Sequence, residues 1–103
     1  MDVLTRIKRL AIAHRIRFTL KADHERIRDG LGVEDIIESI VNAPAITKVI
    51  RSMSPVRRGR KERLYIIVSP TYDGTLVYTK GTFRKFKGIE EFYIFISAKR
   101  SIL

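Results

Sequence analysis

The apolar residues of this chain change their period near Ala45, and that switch dictates a fold in two parts. Before it, apolar side chains recur every three to four positions, the spacing of helices with one buried face. After it, β-branched and aromatic residues alternate with polar ones between turn residues, the spacing of strands. Helices first and sheet second predicts an α+β domain rather than an α/β one. With 103 residues there is room for a single domain, 1–103, around one core. A hydrophobic share of 45% can fill that core, and a charged share of 31% stays short of the disordered regime.

Val3, Leu4, Ile7, Leu10 and Ala11 form the buried stripe of a first helix, with Arg6, Lys8 and Arg9 off it. The segment RIRFTL, 15–20, alternates basic and apolar residues and predicts a brief extended link. A second helix follows through KADHERIRDG, capped by Thr19 and ended by Gly30 in a left-handed conformation. In the third, Glu34 and Asp35 occupy the first turn, where the helix dipole favours acids. Ile36, Ile37, Ile40 and Val41 make its buried face, and Asn42 with Pro44 stops it. Strands are expected at about 46–53, 63–69, 75–80 and 91–98. SPVRRGRK, PTYDG and a long loop GTFRKFKGIE join these four strands into an antiparallel meander.

Charge decides the partner. Lys and Arg number 21 against 11 acids, a net charge of +10 with a pI near 10.4, and such a field attracts phosphate. The chain has no cysteine, and its histidines, His14 and His24, lack metal-ligand spacing, so neither a metal nor any other cofactor is expected. The absence of cysteine fits a cytoplasmic setting. Arg6, Lys8 and Arg9 break up the N-terminal apolar residues, which leaves no secretory or membrane-spanning segment. An amphipathic helix over 2–14 lying on an anionic membrane competes with the simpler reading of a core-packing first helix, and no membrane partner is expected.

The basic residues fall into three groups. Arg51, Arg57, Arg58, Arg60, Lys61 and Arg63 surround the first hairpin loop, with Glu62 among them. Arg84, Lys85 and Lys87 are interleaved with Phe83 and Phe86, and Lys99 with Arg100 ends the last strand. Arginine forks bind phosphate, and phenylalanine in a basic loop offers a stacking surface for unpaired bases, so single-stranded RNA is the expected ligand. The competing account is that the charges are solvated loop faces and the phenylalanines close the core.

Strand alternation adds geometry. Ile46, Lys48, Ile50 and Ser52 are expected on one face, as are Leu76, Tyr78 and Lys80. On the last strand Tyr93, Phe95, Ser97 and Lys99 should face one way and Phe92, Ile94, Ile96 and Ala98 the other.

The order of helices, then LYIIVS, LVYTK and FYIFISAKR, resembles the MqsR-type toxins of bacterial toxin-antitoxin systems, in the RelE-like mRNA interferase group. FTLKADHERIRDGLGVEDIIESIVNA also resembles small bacterial domains of toxin-like type. The resemblance implies a RelE-like fold, a metal-independent endoribonuclease cutting mRNA, and an antitoxin partner, expected to be acidic. It implies catalytic roles for Lys48, for Tyr78 and Lys80 in VYTK, and for Lys99 in the Ser97-x-Lys99 match. Arg100 or Arg63 would assist at phosphate. A family glutamine falls near Glu62, where this chain departs from the pattern.

His24 offers a rival proton-transfer group beside Glu25 and Arg26, whereas His14 reads as a C-terminal partner of the first helix dipole. Two other functions compete with cleavage: a non-enzymatic nucleic-acid-binding module, and an interaction domain whose basic face docks an acidic protein.

Overall fold

A computed structural model describes residues 1–52 and 62–102. Three helices precede most of a sheet: α1 (Val3–Ile12), α2 (Leu20–Arg28) and α3 (Val33–Asn42). The strands are β1 (Ile16–Phe18), β2 (Lys48–Ser52), β3 (Glu62–Pro70), β4 (Leu76–Phe86) and β5 (Glu90–Arg100). They form one sheet in the order β1-β5-β4-β3-β2. The meander of β2 to β5 is antiparallel as expected, but the sheet has five strands and is mixed. The RIRFTL segment is no mere link, because Ile16–Phe18 pairs in parallel with Tyr93–Phe95.

The helix boundaries follow local chemistry. The Asp2 side chain accepts from Thr5 N at the start of α1, and Thr19 Oγ1 accepts from Ala22 N at the start of α2. The Asp35 carboxylate accepts from Gly32 N at the start of α3. Gly30, with φ +73°, terminates α2. His14, just past α1, adopts φ +58° and is exposed, while its backbone N–H bonds Ala11 O.

Ile7, Ala11, Ala22, Ile36 and Ile40 join Tyr65, Ile67, Val77, Tyr93 and Phe95 in one core cluster. All three helices therefore cover the sheet face defined by those strand residues, and among the described residues the opposite face carries no helix. No described helix is long and apolar enough to cross a membrane.

Two further expectations are corrected. The long loop after residue 80 is instead strand: β4 runs on to Phe86, so Phe83, Arg84 and Lys85 are strand residues. The chain then reverses through a tight turn in which Lys87 (φ +54°) and Gly88 (φ +72°) take left-handed backbone and Ile89 N bonds Phe86 O. Phe83 packs on the core, edge-on to Tyr65 and Tyr93, with the Arg6 guanidinium 4.0 Å from its ring centroid. It is a structural residue, not an exposed stacking surface.

The second correction concerns β5. Gly81 pairs with Phe95 but Lys80 pairs with Ser97, so Ile96 is an extra, unpaired residue and β5 bulges there. The extra residue resets the alternation. Tyr93 and Phe95 face the helices, whereas Ser97 and Lys99 belong to the opposite parity, in register with Lys80 and Tyr78. Ile46 also departs from expectation: it lies before β2 and packs against the core rather than sharing a face with Lys48.

Candidate RNA-binding face and cleft

The helix-free face is organised in rows across the strands. One row runs Lys48, Ile66, Lys80, Ser97, and the next runs Val68, Tyr78, Lys99. With strands roughly 4.8 Å apart, the Lys48 and Lys80 backbones lie about 10 Å from each other across Ile66. Lys99 Nζ sits 5.4 Å from the Tyr78 ring centroid, a cation–π contact between the two residues. Tyr78, Lys80 and Lys99 are half-buried and Lys48 is exposed, so the four expected catalytic side chains share one accessible surface. The bulge at Ile96 is what brings Lys99 there.

Helix α2 holds this arrangement from the side. Beyond the end of β1 the edge of β5 would present bare amides, and α2 supplies carboxylates to them. Glu25 Oε1 accepts from Ala98 N at 3.2 Å, and Asp29 Oδ2 accepts from Arg100 N at 2.9 Å. Four residues of helix rise about 6 Å and two residues of strand about 6.6 Å, so carboxylates one helical turn apart match alternate strand amides. Glu25 Oε1 also accepts from Ser97 Oγ at 2.7 Å, which fixes the bulge and commits the buried Ser97 hydroxyl to Glu25. Burial disfavours the charge on Glu25, but the Ser97 hydroxyl, the Ala98 amide, Lys21 and Lys99 outweigh it and hold the carboxyl below its ordinary range.

A cleft of about 610 Å³ opens beside these rows, lined by Arg28, Asp29, Tyr78, Lys99, Arg100 and the residues that follow. Arg100 Nε donates to Asp29 O, and Arg28 pairs with the Asp29 carboxylate. His24 is exposed on α2, one turn before Arg28; it is not among the residues that line the cleft and does not join the lysine rows.

The remaining basic candidates do not converge. Arg51 and Arg63 are exposed and face each other across β2 and β3, but with the parity of Tyr65, away from the lysine rows. Lys85 likewise has the parity of Phe83, opposite Glu91. Arg84 is on the lysine face, yet its guanidinium grips Glu62 at 3.0 Å, which occupies both residues in structure. Lys87 is in the β4–β5 turn. Arg57, Arg58, Arg60 and Lys61 lie outside the described residues.

Sequence reasoning missed Arg15 and Arg17. Arg17 pairs with Ile94 and shares its helix-free face, where its guanidinium lies 4.8 Å from the Phe92 ring centroid. Among the described residues no three His, Asp or Glu side chains gather as metal ligands. No protein-family model, curated protein or solved structure matches the chain.

Proposed function

We propose that this domain binds single-stranded mRNA on its helix-free sheet face and cleaves it without a metal, as the toxin of a toxin-antitoxin pair with a RelE-like fold. The observation that carries this reading is the bulge-dependent assembly of Lys48, Tyr78, Lys80 and Lys99 in two neighbouring rows. Cleavage needs a proton taken from a ribose 2′-hydroxyl, charge stabilised on the attacked phosphate, and a proton given to the departing 5′-oxygen. Tyr78 and an adjacent lysine serve proton transfer, while Lys99 serves the phosphate; Arg100 has the parity of Val77 and its Nε is held by Asp29 O. Lys99 Nζ lies over the Tyr78 ring, 5.4 Å from its centroid, so a cation and a phenol stand side by side on this face. The cognate antitoxin would be acidic and cover this face, and the setting would be cytoplasmic. Those two points rest on the family resemblance and on the +10 charge.

The test is incubation of purified protein with end-labelled mRNA in EDTA, followed by mapping of cut ends. Tyr78→Phe and Lys99→Ala should each slow cleavage by about a hundredfold or more, the usual worth of a general acid–base group. Cleavage by both variants at the wild-type rate removes the catalytic assignment. Salt-sensitive binding with no cut ends in the wild type leaves a non-enzymatic RNA-binding module instead.

A further inference from the structure

The far end of the helix-free face carries a second cluster that the lysine rows do not use. Phe92, opposite Arg84 on β4, receives the Arg17 guanidinium at 4.8 Å and the Arg15 guanidinium at 5.8 Å from its ring centroid. Phe86 meets Phe92 edge-on with centroids 5.3 Å apart, and Arg17 is also 6.0 Å from the Phe86 centroid. Arg15 and Arg17 are exposed, and Phe86 is 46% exposed. Among the described residues neither arginine has a carboxylate partner, although Glu90 stands at the rim opposite Phe86. A small cleft of about 220 Å³ lined by Phe86, Lys87, Ile89 and Glu90 opens at the same end.

The Arg17 guanidinium is within cation–π range of Phe92, and a planar guanidinium beside an aromatic ring can also stack on a base. Phe86 is exposed at the hairpin end beside Arg17, and an exposed aromatic beside arginines without carboxylate partners suits bases and phosphates together. The net +10 charge favours an anionic occupant. Between Lys80 and Arg84 the strand advances about 13 Å, the length of roughly four nucleotides at a stacked rise of 3.4 Å. Between the two clusters lie Leu64, Thr82 and Ile94, all three buried, so the strand would pass over this row and be held by the side chains at its two ends.

We propose that Arg17, Phe92 and Phe86 form a base-stacking subsite for single-stranded RNA, several nucleotides from the lysine rows. It rests on the RNA-binding reading and extends it: the bound strand runs along β4 and β5, with one end at Lys80 and Tyr78 and the other on the Arg17 ledge.

The experiment measures binding of fluorescent 2′-O-methyl oligonucleotides, which bind without being cut, at two lengths: a dinucleotide and an octanucleotide. Wild type should bind the octanucleotide at least about tenfold more tightly, the scale of one stacked base. Arg17→Ala and Phe86→Ala, both at exposed positions, should each remove most of that length advantage while leaving dinucleotide binding within about twofold. Arg17→Lys keeps the charge but not the plane, and should behave like Arg17→Ala. Thermal melting of each variant checks that the fold is kept. Octanucleotide binding unchanged in both alanine variants overturns the subsite, and full affinity in Arg17→Lys overturns stacking as its basis. A wild type that binds neither oligonucleotide but captures an acidic polypeptide sinks the RNA reading itself, and the subsite with it.

Discussion

At the scale of single residues, Gly81 shows how one atom of space organises the face. A Cβ at this position would sit 2.5 Å from Tyr93 Cε2 and Cζ, inside a ring that is fully buried. The Tyr93 ring comes close to the β4 backbone here, leaving no space for a side chain, and the register shifts at that point. Burial also raises the Tyr93 hydroxyl far above its ordinary pKa, so the group stays neutral at working pH. Gly81→Ala should therefore cost about 1–3 kcal/mol, as other overpacked cores do, visible as a lowered urea midpoint. A midpoint unchanged from wild type would mean that Tyr93 has room to retreat. The glycine was visible in LVYTKGTF, and a glycine inside an alternating pattern does signal a bulge or a close approach. Read alone it also suits the start of a loop. What settles it is a tyrosine twelve residues later, and nothing local ties the two together.

At the scale of elements, the features legible in the sequence were those set by neighbours in the chain. Thr19 capping α2, Gly30 ending it, and Asn42 with Pro44 ending α3 are local stereochemistry, and the structure has them where spacing put them. Strand β1 was not legible as a strand, because three residues acquire that identity only by pairing with β5, more than seventy positions away. The same holds for the two acids of α2. Glu25 and Asp29 look like solvated helix charges until the edge of β5 is laid beside them. That docking predicts a pH dependence. Glu25 has a lowered folded-state pKa, so its contribution is complete above the ordinary carboxyl range and is lost as pH falls through the lowered value. Asp29, lowered by the Arg100 amide and the Arg28 guanidinium, acts in the same direction. Urea unfolding of the wild type should lose stability between about pH 5 and pH 3. Glu25→Gln, which removes one titrating carboxylate, should start less stable at pH 7 and lose less over that interval. Parallel curves for the two proteins would refute a stabilising role for the charged Glu25. Because Glu25 also pins Ser97 and the bulge, Glu25→Gln should slow cleavage as well, through a displaced Lys99.

At the scale of the whole molecule, composition points to a polyanion partner but not to which cations would meet it. The sum of charge is fixed by counting, whereas the placement of each charge depends on strand parity, and one bulged residue inverts parity for everything beyond it. Arg51 and Arg63 fall on the helix side by the β2–β3 register, while Arg17, overlooked in a short basic stretch, falls on the face of the lysine rows. The two placements make different predictions about salt. If Lys48, Lys80, Lys99, Arg15 and Arg17 are the groups that displace counterions, five phosphates are neutralised. The logarithm of affinity for a single-stranded octanucleotide should then fall against the logarithm of salt with a slope of about −3.5. Between 50 and 200 mM salt that is a loss of about a hundredfold. Lys80→Ala and Arg17→Ala should each flatten the slope by about 0.7, and Arg51→Ala should leave it unchanged. Tyr78→Phe removes no charge, so it should leave the slope intact while lowering cleavage, which separates holding the strand from cutting it. A slope that responds to Arg51→Ala and ignores Lys80→Ala would move the RNA to the other side of the sheet, and the catalytic rows would lose their substrate.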